Sequence, residues 1–159
     1  MDSLAEEGLL GAEELASASA GDGRAVDYPT VNADRRRLLR LAFSRDAARR
    51  ERAEDFAARY PWLGDWAVYQ SAKDAFGGLP WYEWPEDGLR RHEPEAIERF
   101  RAAHRADVAY QVWLQQVFSE QWSALKLYAN GQDVKILGDL PIYVSLDSAD
   151  VWAEREQFL

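Results

Sequence analysis
Along most of the chain the apolar positions recur every three or four residues, the period of an amphipathic helix. Residues 2–15, DSLAEEGLLGAEEL, predict one or two short acidic helical turns broken at Gly8 and Gly11. Residues 16–31 are rich in Ala, Ser, Gly and Asp and read as a loop, with VDYPTV (26–31) extended ahead of its proline. Asn32 or Asp34 can cap the helix that follows, whose stripe starts at Leu38, Leu39, Leu41, Ala42 and Phe43 and finishes at Phe56 and Tyr60. Its middle, SRDAARRERAED, is polar nearly all round, which fits either a solvated stretch or a break between two helices. Pro61 marks the next start, and WLGDWAVYQSAKDAF puts Trp62, Trp66, Tyr69 and Lys73 on one face before Gly77 and Gly78 stop it.

Two prolines and a glycine keep LPWYEWPEDGL (79–89) out of any helix interior. Pro94 and Glu95 then open the longest helical pattern. Ile97, Phe100, His104, Val108, Val112, Phe118, Trp122 and Leu125 form its apolar face, and Asn130–Gly131 ends it. His104 lies on that stripe and reads as a hydrogen-bonded interior histidine rather than a ligand. Next comes VKILG (134–138), short, apolar and β-branched, the single convincing strand. A helix feeding such a run is half of a β–α–β unit. One strand has no ladder, so this reading requires partner strands that the chain does not offer.

Composition narrows the function. A net charge of −9 argues against nucleic acid and anionic membranes as partners. There is no Cys and there are two histidines, too few for a metal site without carboxylate help. No apolar run approaches the roughly 20 residues of a membrane span, and acidic residues follow Met1 where a signal peptide would be basic. A cytoplasmic protein without cofactor or metal is expected. Seven Trp are many for this length. They serve a core first, though indole faces also stack on sugars.

The chemistry gathers at ILGDLPIYVSLDSADVW (136–152). Asp139 follows the apolar run directly, and in parallel α/β folds functional residues cluster at the carboxyl ends of strands. Gly138 permits close approach, and Pro141 fixes the exit direction. Asp147 and Ser148 resemble a helix N-cap; for them and Asp150, capping outweighs ligand contact. Glycosyl chemistry needs two carboxyl groups flanking the bond, and nothing in the spacing fixes the separation of Asp139 and Asp147.

This stretch closely resembles the 4-α-glucanotransferases, the amylomaltases or disproportionating enzymes. Gly138, Asp139, Pro141, Ile142, Tyr143, Val144, Asp147, Ser148, Ala149, Asp150, Val151 and Trp152 match their motif. VDYPTV, GGLPWYEWPEDGLR (77–90) and YQVWLQQVFSEQWSALKLYAN (110–130) look like the same family, so the resemblance spans nearly the whole chain. Ser145–Leu146 departs from the pattern. The resemblance implies a (β/α)₈ barrel carrying insertions and a retaining transfer of α-1,4-glucan segments to another sugar's hydroxyl. Residues 1–132 would be the helical insertion after the second barrel strand. Residues 133–159 would be the third strand, its exit loop and the start of the next helix, all in one compact fragment. Met1 would not be the natural start. Asp139 would hold a bound glucosyl unit, with Pro141, Tyr143, Asp147, Ser148 and Trp152 as further substrate contacts. Nucleophile and acid/base would lie elsewhere, leaving no catalytic residue on this chain and the fragment inactive. Two rival expectations remain: a stand-alone helical carbohydrate-binding or interaction module, favoured by the aromatic loop at 79–84, and an acidic helical adaptor. Self-association through an exposed strand edge is also expected.

Overall fold
A computed structural model describes residues 1–18, 25–140 and 142–158, and these form two compact units, Met1–Arg52 and Ala53–Leu159. Ala149, Val151, Trp152 and Ala153 pack into the same body as the helices before them.

The first unit holds α1 (Asp2–Glu6), α2 (Ala12–Ala16), α3 (Tyr28–Arg45) and α4 (Ala47–Glu51). Gly8 takes φ +75° and Gly11 precedes α2, so the predicted breaks are real. Part of the loop predicted at 16–31 lies outside the described residues. The extended reading of VDYPTV is corrected: α3 starts at Tyr28, not after Asn32. Asp27 is the cap, accepting from Thr30 N (3.3 Å) and Thr30 Oγ1 (2.6 Å), and Pro29 fits the first helical turn, where no N–H is needed. The polar middle of the next pattern is a break. Buried Asp46 ends α3 and caps α4 through Arg49 N at 3.0 Å. Arg45 grips Glu14 with two bonds of 2.8 Å, which together with the Gly11 N–H hold the Glu14 carboxyl down to about 2.

The second unit holds α5 (Ala53–Ala58), α6 (Leu63–Ala75), α7 (Asp87–Arg90), α8 (Pro94–Ala103), α9 (Arg105–Gly131) and α10 (Ala149–Ala153), with 3₁₀ turns at Trp81–Glu83 and Arg155–Gln157. Helix α6 is the hub: Leu63, Ala67, Val68, Tyr69 and Ala72 are buried against α8, α9, α10 and the aromatic loop. Gly77 and Gly78 end it in the left-handed region, and Gly78 N returns to Lys73 O at 2.7 Å.

The single long helix expected from Pro94 is two. At His104 the chain leaves helical geometry (φ −113°), its N–H closing α8 on Phe100 O and its carbonyl opening α9 to Asp107 N and Val108 N. His104 is therefore a joint, partly exposed and stacked on Phe100 at 4.2 Å, not an interior histidine. Along α9, Val108, Val112 and Val117 are buried, whereas Phe118, Trp122 and Leu125 stand exposed. The stop also shifts: Gly131 remains helical, and Asp133 adopts φ +58°, with Val134 N returning to Ala129 O at 2.9 Å.

The predicted strand does not form. Residues 134–140 carry no regular structure, and no strand occurs among the described residues. A strand exists only by exchanging hydrogen bonds with a neighbour, and no second run is present to supply one. The described residues are thus mainly α, with no strand edge formed among them. Among the described residues no helix is long and apolar enough to cross a membrane.

Candidate functional site
Residues 134–140 and 142–146 lie between two fixed ends. The first end is the closed terminus of α9, and the second is Asp147. One Asp147 oxygen accepts from the Tyr69 hydroxyl (2.6 Å) and the Trp81 N–H (3.2 Å), and the other is paired with the Lys73 ammonium. Burial by itself would raise this carboxyl, but the three donors, Lys73 foremost, outweigh it and hold it below its ordinary value. The Tyr69 hydroxyl is pushed well above its ordinary value, by burial first and then by the carboxylate it serves.

Indole N–H groups fasten the same segment. Trp81 Nε1 donates to Leu146 O at 2.7 Å and Trp152 Nε1 to Leu89 O at 2.8 Å, while Trp84 Nε1 donates to Leu79 O at 3.0 Å. A buried indole needs such an acceptor, and here each finds a backbone carbonyl; Leu89 O accepts from His92 N as well. The Arg155 guanidinium lies 4.8 Å over the Trp81 ring and donates to Arg90 O. Ser148 Oγ caps α10 through Val151 N at 3.2 Å.

Between its anchors the span faces solvent. Leu137, Leu140, Ile142 and Tyr143 are 81–97% exposed, and a side chain at Gly138 would meet nothing within 4 Å. Asp139 is exposed, with Oδ1 accepting from Leu140 N at 2.8 Å.

The anticipated contact residues thus separate. Asp139 and Tyr143 lie on the exposed span. Asp147 and Ser148 are engaged in holding it, and Pro141 lies outside the described residues. Trp152 is fully buried among Tyr69, Trp84 and His92, so it offers no surface to a sugar. The aromatic loop is corrected likewise: Trp81 and Trp84 are core, and Tyr82 alone of its aromatics is open. Tyr69 and Lys73 were missed as partners of Asp147. Their signal was present, since a lysine four residues after a tyrosine on an apolar stripe implies a partly buried anion opposite. Among the described residues no three His, Asp or Glu side chains come together as a metal site would require.

Comparison with known proteins identifies the class. The sequence profile of the 4-alpha-glucanotransferase family matches residues 1–159, and the chain belongs to that family. It is 38% identical to the 4-alpha-glucanotransferase of Synechocystis over 99% of its own length, and 38% identical to that of Thermus thermophilus over 98%. It covers 32% and 31% of those proteins, so it spans about a third of the length of the curated relatives it matches. Among solved structures, the amylomaltase of Streptococcus agalactiae, determined in complex with acarbose, superposes with a TM-score of 0.88 at 33% identity, over 98% of this chain and 32% of that one.

Proposed function
We propose that this chain forms the glucan-holding part of a 4-α-glucanotransferase, an enzyme that moves α-1,4-glucan segments between maltooligosaccharides by a retaining mechanism. In this reading Asp139 accepts hydrogen bonds from the hydroxyls of a bound glucosyl unit, and Tyr143 lies beside it. The observation that carries the reading is the state of the exit span. It is pinned at Asp147, apolar yet open to solvent, and its one acid has an oxygen with no partner among the described residues. Exposed apolar residues on this scale mark a surface made for a partner, here the remaining barrel strands of the family fold.

A retaining transfer needs a nucleophile and an acid/base about 5–5.5 Å apart. Asp147, the nearest acid along the loop, is committed to Lys73 and Tyr69. The chain alone is therefore inactive, and no catalytic residue is assigned to it. The rival reading, a stand-alone carbohydrate module built on the aromatic loop, loses its support because Trp81 and Trp84 are buried.

The test grafts this chain in place of the matching segment of the Thermus thermophilus relative. The chimera releases glucose from maltotriose, and the same chimera with Asp139→Asn loses at least about a hundredfold in kcat/KM. The purified chain releases none. An Asp139→Asn chimera as active as its parent overturns the assignment.

A further inference from the structure
Stability alone does not account for the Lys73–Asp147 pair, whose side chains are 23% and 28% exposed. Replacing a buried ion pair by well-packed apolar side chains is often neutral or stabilising, and α10 already has such packing. Trp152 is fully buried against Tyr69 and Trp84, and Ser148 rather than Asp147 caps the helix. What apolar packing lacks is direction. Donors converging on one carboxylate supply it: the Tyr69 hydroxyl and the Trp81 N–H meet one oxygen, and the Lys73 ammonium meets the other.

The donors are themselves held. Tyr69 is buried, its ring packed on Trp84 at 5.5 Å and on Trp152 at 5.9 Å, so its hydroxyl has little freedom of direction. Lys73 follows one turn later on α6, its ammonium 5.9 Å from the centroid of the Tyr69 ring. Asp139 lies five residues past Val134 and eight before Asp147. An extended residue spans at most about 3.3–3.6 Å, so the α9 end alone would let Asp139 range over roughly 17 Å. The fixed point at Asp147 narrows that range, and α6 supplies two of its three donors.

We propose that Tyr69 and Lys73 are positioning residues for glucan transfer: acting through Asp147, they set where Asp139 meets the sugar without touching it themselves. The proposal rests on the reading of Asp139 given above. It gives α6 a part in holding substrate as well as in forming the core. A contact group misplaced by about 1 Å lowers a rate about a hundredfold. Loss of one donor loosens the anchor rather than removing it, because the Trp81 indole still holds Leu146 O and Trp152 still docks α10. The expected loss is therefore smaller, about tenfold.

Two measurements test it. The chain has no cysteine, so Ser145→Cys accepts a single nitroxide two residues ahead of Asp147 in the 159-residue chain. Its electron paramagnetic resonance spectrum sharpens when Tyr69→Phe or Lys73→Met is added, while circular dichroism stays that of the parent. The same substitutions then enter the chimera with the Thermus thermophilus relative, with and without Asp139→Asn. With Asp139 present, each lowers kcat/KM for maltotriose about tenfold; with Asp139→Asn, each lowers it less than about twofold further. A role confined to stability acts equally in both backgrounds, so the coupling separates the two. Tyr69→Phe keeps its ring in the core and answers the question if Lys73→Met does not fold. An unmoved nitroxide spectrum, an unchanged kcat/KM, or equal losses in both backgrounds overturns the proposal. A chimera that is silent or indifferent to Asp139→Asn removes the reading of Asp139 and this proposal with it. Inert Tyr69→Phe and Lys73→Met in a chimera that needs Asp139 remove this proposal alone.

Discussion

Replacing Asp147 by Ala removes one carboxylate and strands three donors, the Tyr69 hydroxyl, the Lys73 ammonium and the Trp81 N–H. A hydrogen bond to a charged partner contributes about 1.5–3 kcal/mol and a neutral one about 1. Lys73 and Asp147 keep 23% and 28% of their side-chain surface open, which lowers the ionic share. Water can also reach part of the vacated space. The three contacts act through one group and do not add in full, so the expected loss is about 3 kcal/mol. For a unit of this size that is a fall of roughly 10–20 °C in Tm. The assay is unusually clean, because every tryptophan of the chain, from Trp62 to Trp152, lies in the second unit. Denaturant titration followed by tryptophan fluorescence therefore reports that unit's unfolding alone, and the midpoint should move with the slope unchanged. The acid limb carries a second signature. The folded carboxyl titrates below its ordinary value, so its contribution is present above the unfolded value of 3.8 and disappears as pH falls through the folded one. The gap between wild type and Asp147→Ala is full at pH 7 and narrows as pH falls below the unfolded value of 3.8. A loss under about 0.5 kcal/mol at pH 7, or a gap that does not narrow as pH falls below the unfolded value, refutes the hub. A cycle with Lys73→Met isolates the ionic part.

Helix ends give an opposed pair of expectations. Gly77 sits at φ +67° with nothing within 4 Å of an added Cβ, so Gly77→Ala costs about 1 kcal/mol by backbone conformation alone. Asp133 holds the equivalent place after α9 at φ +58°, so Asp133→Gly stabilises by about 0.5–1 kcal/mol. Both are read from denaturation midpoints, and a same-sign result would contradict the shared geometry. Trp152→Phe leaves Leu89 O without its indole donor and opens a cavity beside Trp84, for a loss of about 2–4 kcal/mol in the same titration. A near-neutral result there would mean the indole is not the wedge that docks α10.

Helix α6 was legible from end to end because its signals are local: Pro61 before it, an apolar stripe along it and two glycines after it. The division between α8 and α9 was not. No Gly or Pro marks His104, and the apolar stripe runs through the joint without a change of period. The exit span failed for a different reason. VKILG has the composition of a strand, yet strand is a relation between chains of hydrogen bonds, and the neighbours decide it. Asp147 sat between the two cases. Its sequence surroundings fit a cap, and Ser148 takes that role instead. The true partners of Asp147 lie 78 and 74 residues away, beyond the reach of local pattern except as an unexplained lysine on an apolar face.

Asp139 and Asp147 therefore divide the work, and the division explains how a loop without neighbours stays placed. An open span whose ends are free would sample many arrangements. Fixing both ends removes most of that freedom, and the residual cost grows only slowly with the length between them. The α9 terminus fixes one end through Val134 N, and Asp147 fixes the other through α6 and the Trp81 turn. Unit-internal contacts thus position the span that carries Asp139, while its apolar side chains stay uncovered. In the proposed enzyme the barrel neighbours would add a ladder and a cover to a span already held at the correct separation. Asp147 would then affect glucan transfer without touching sugar, and its loss would loosen the placement of Asp139 rather than remove a contact.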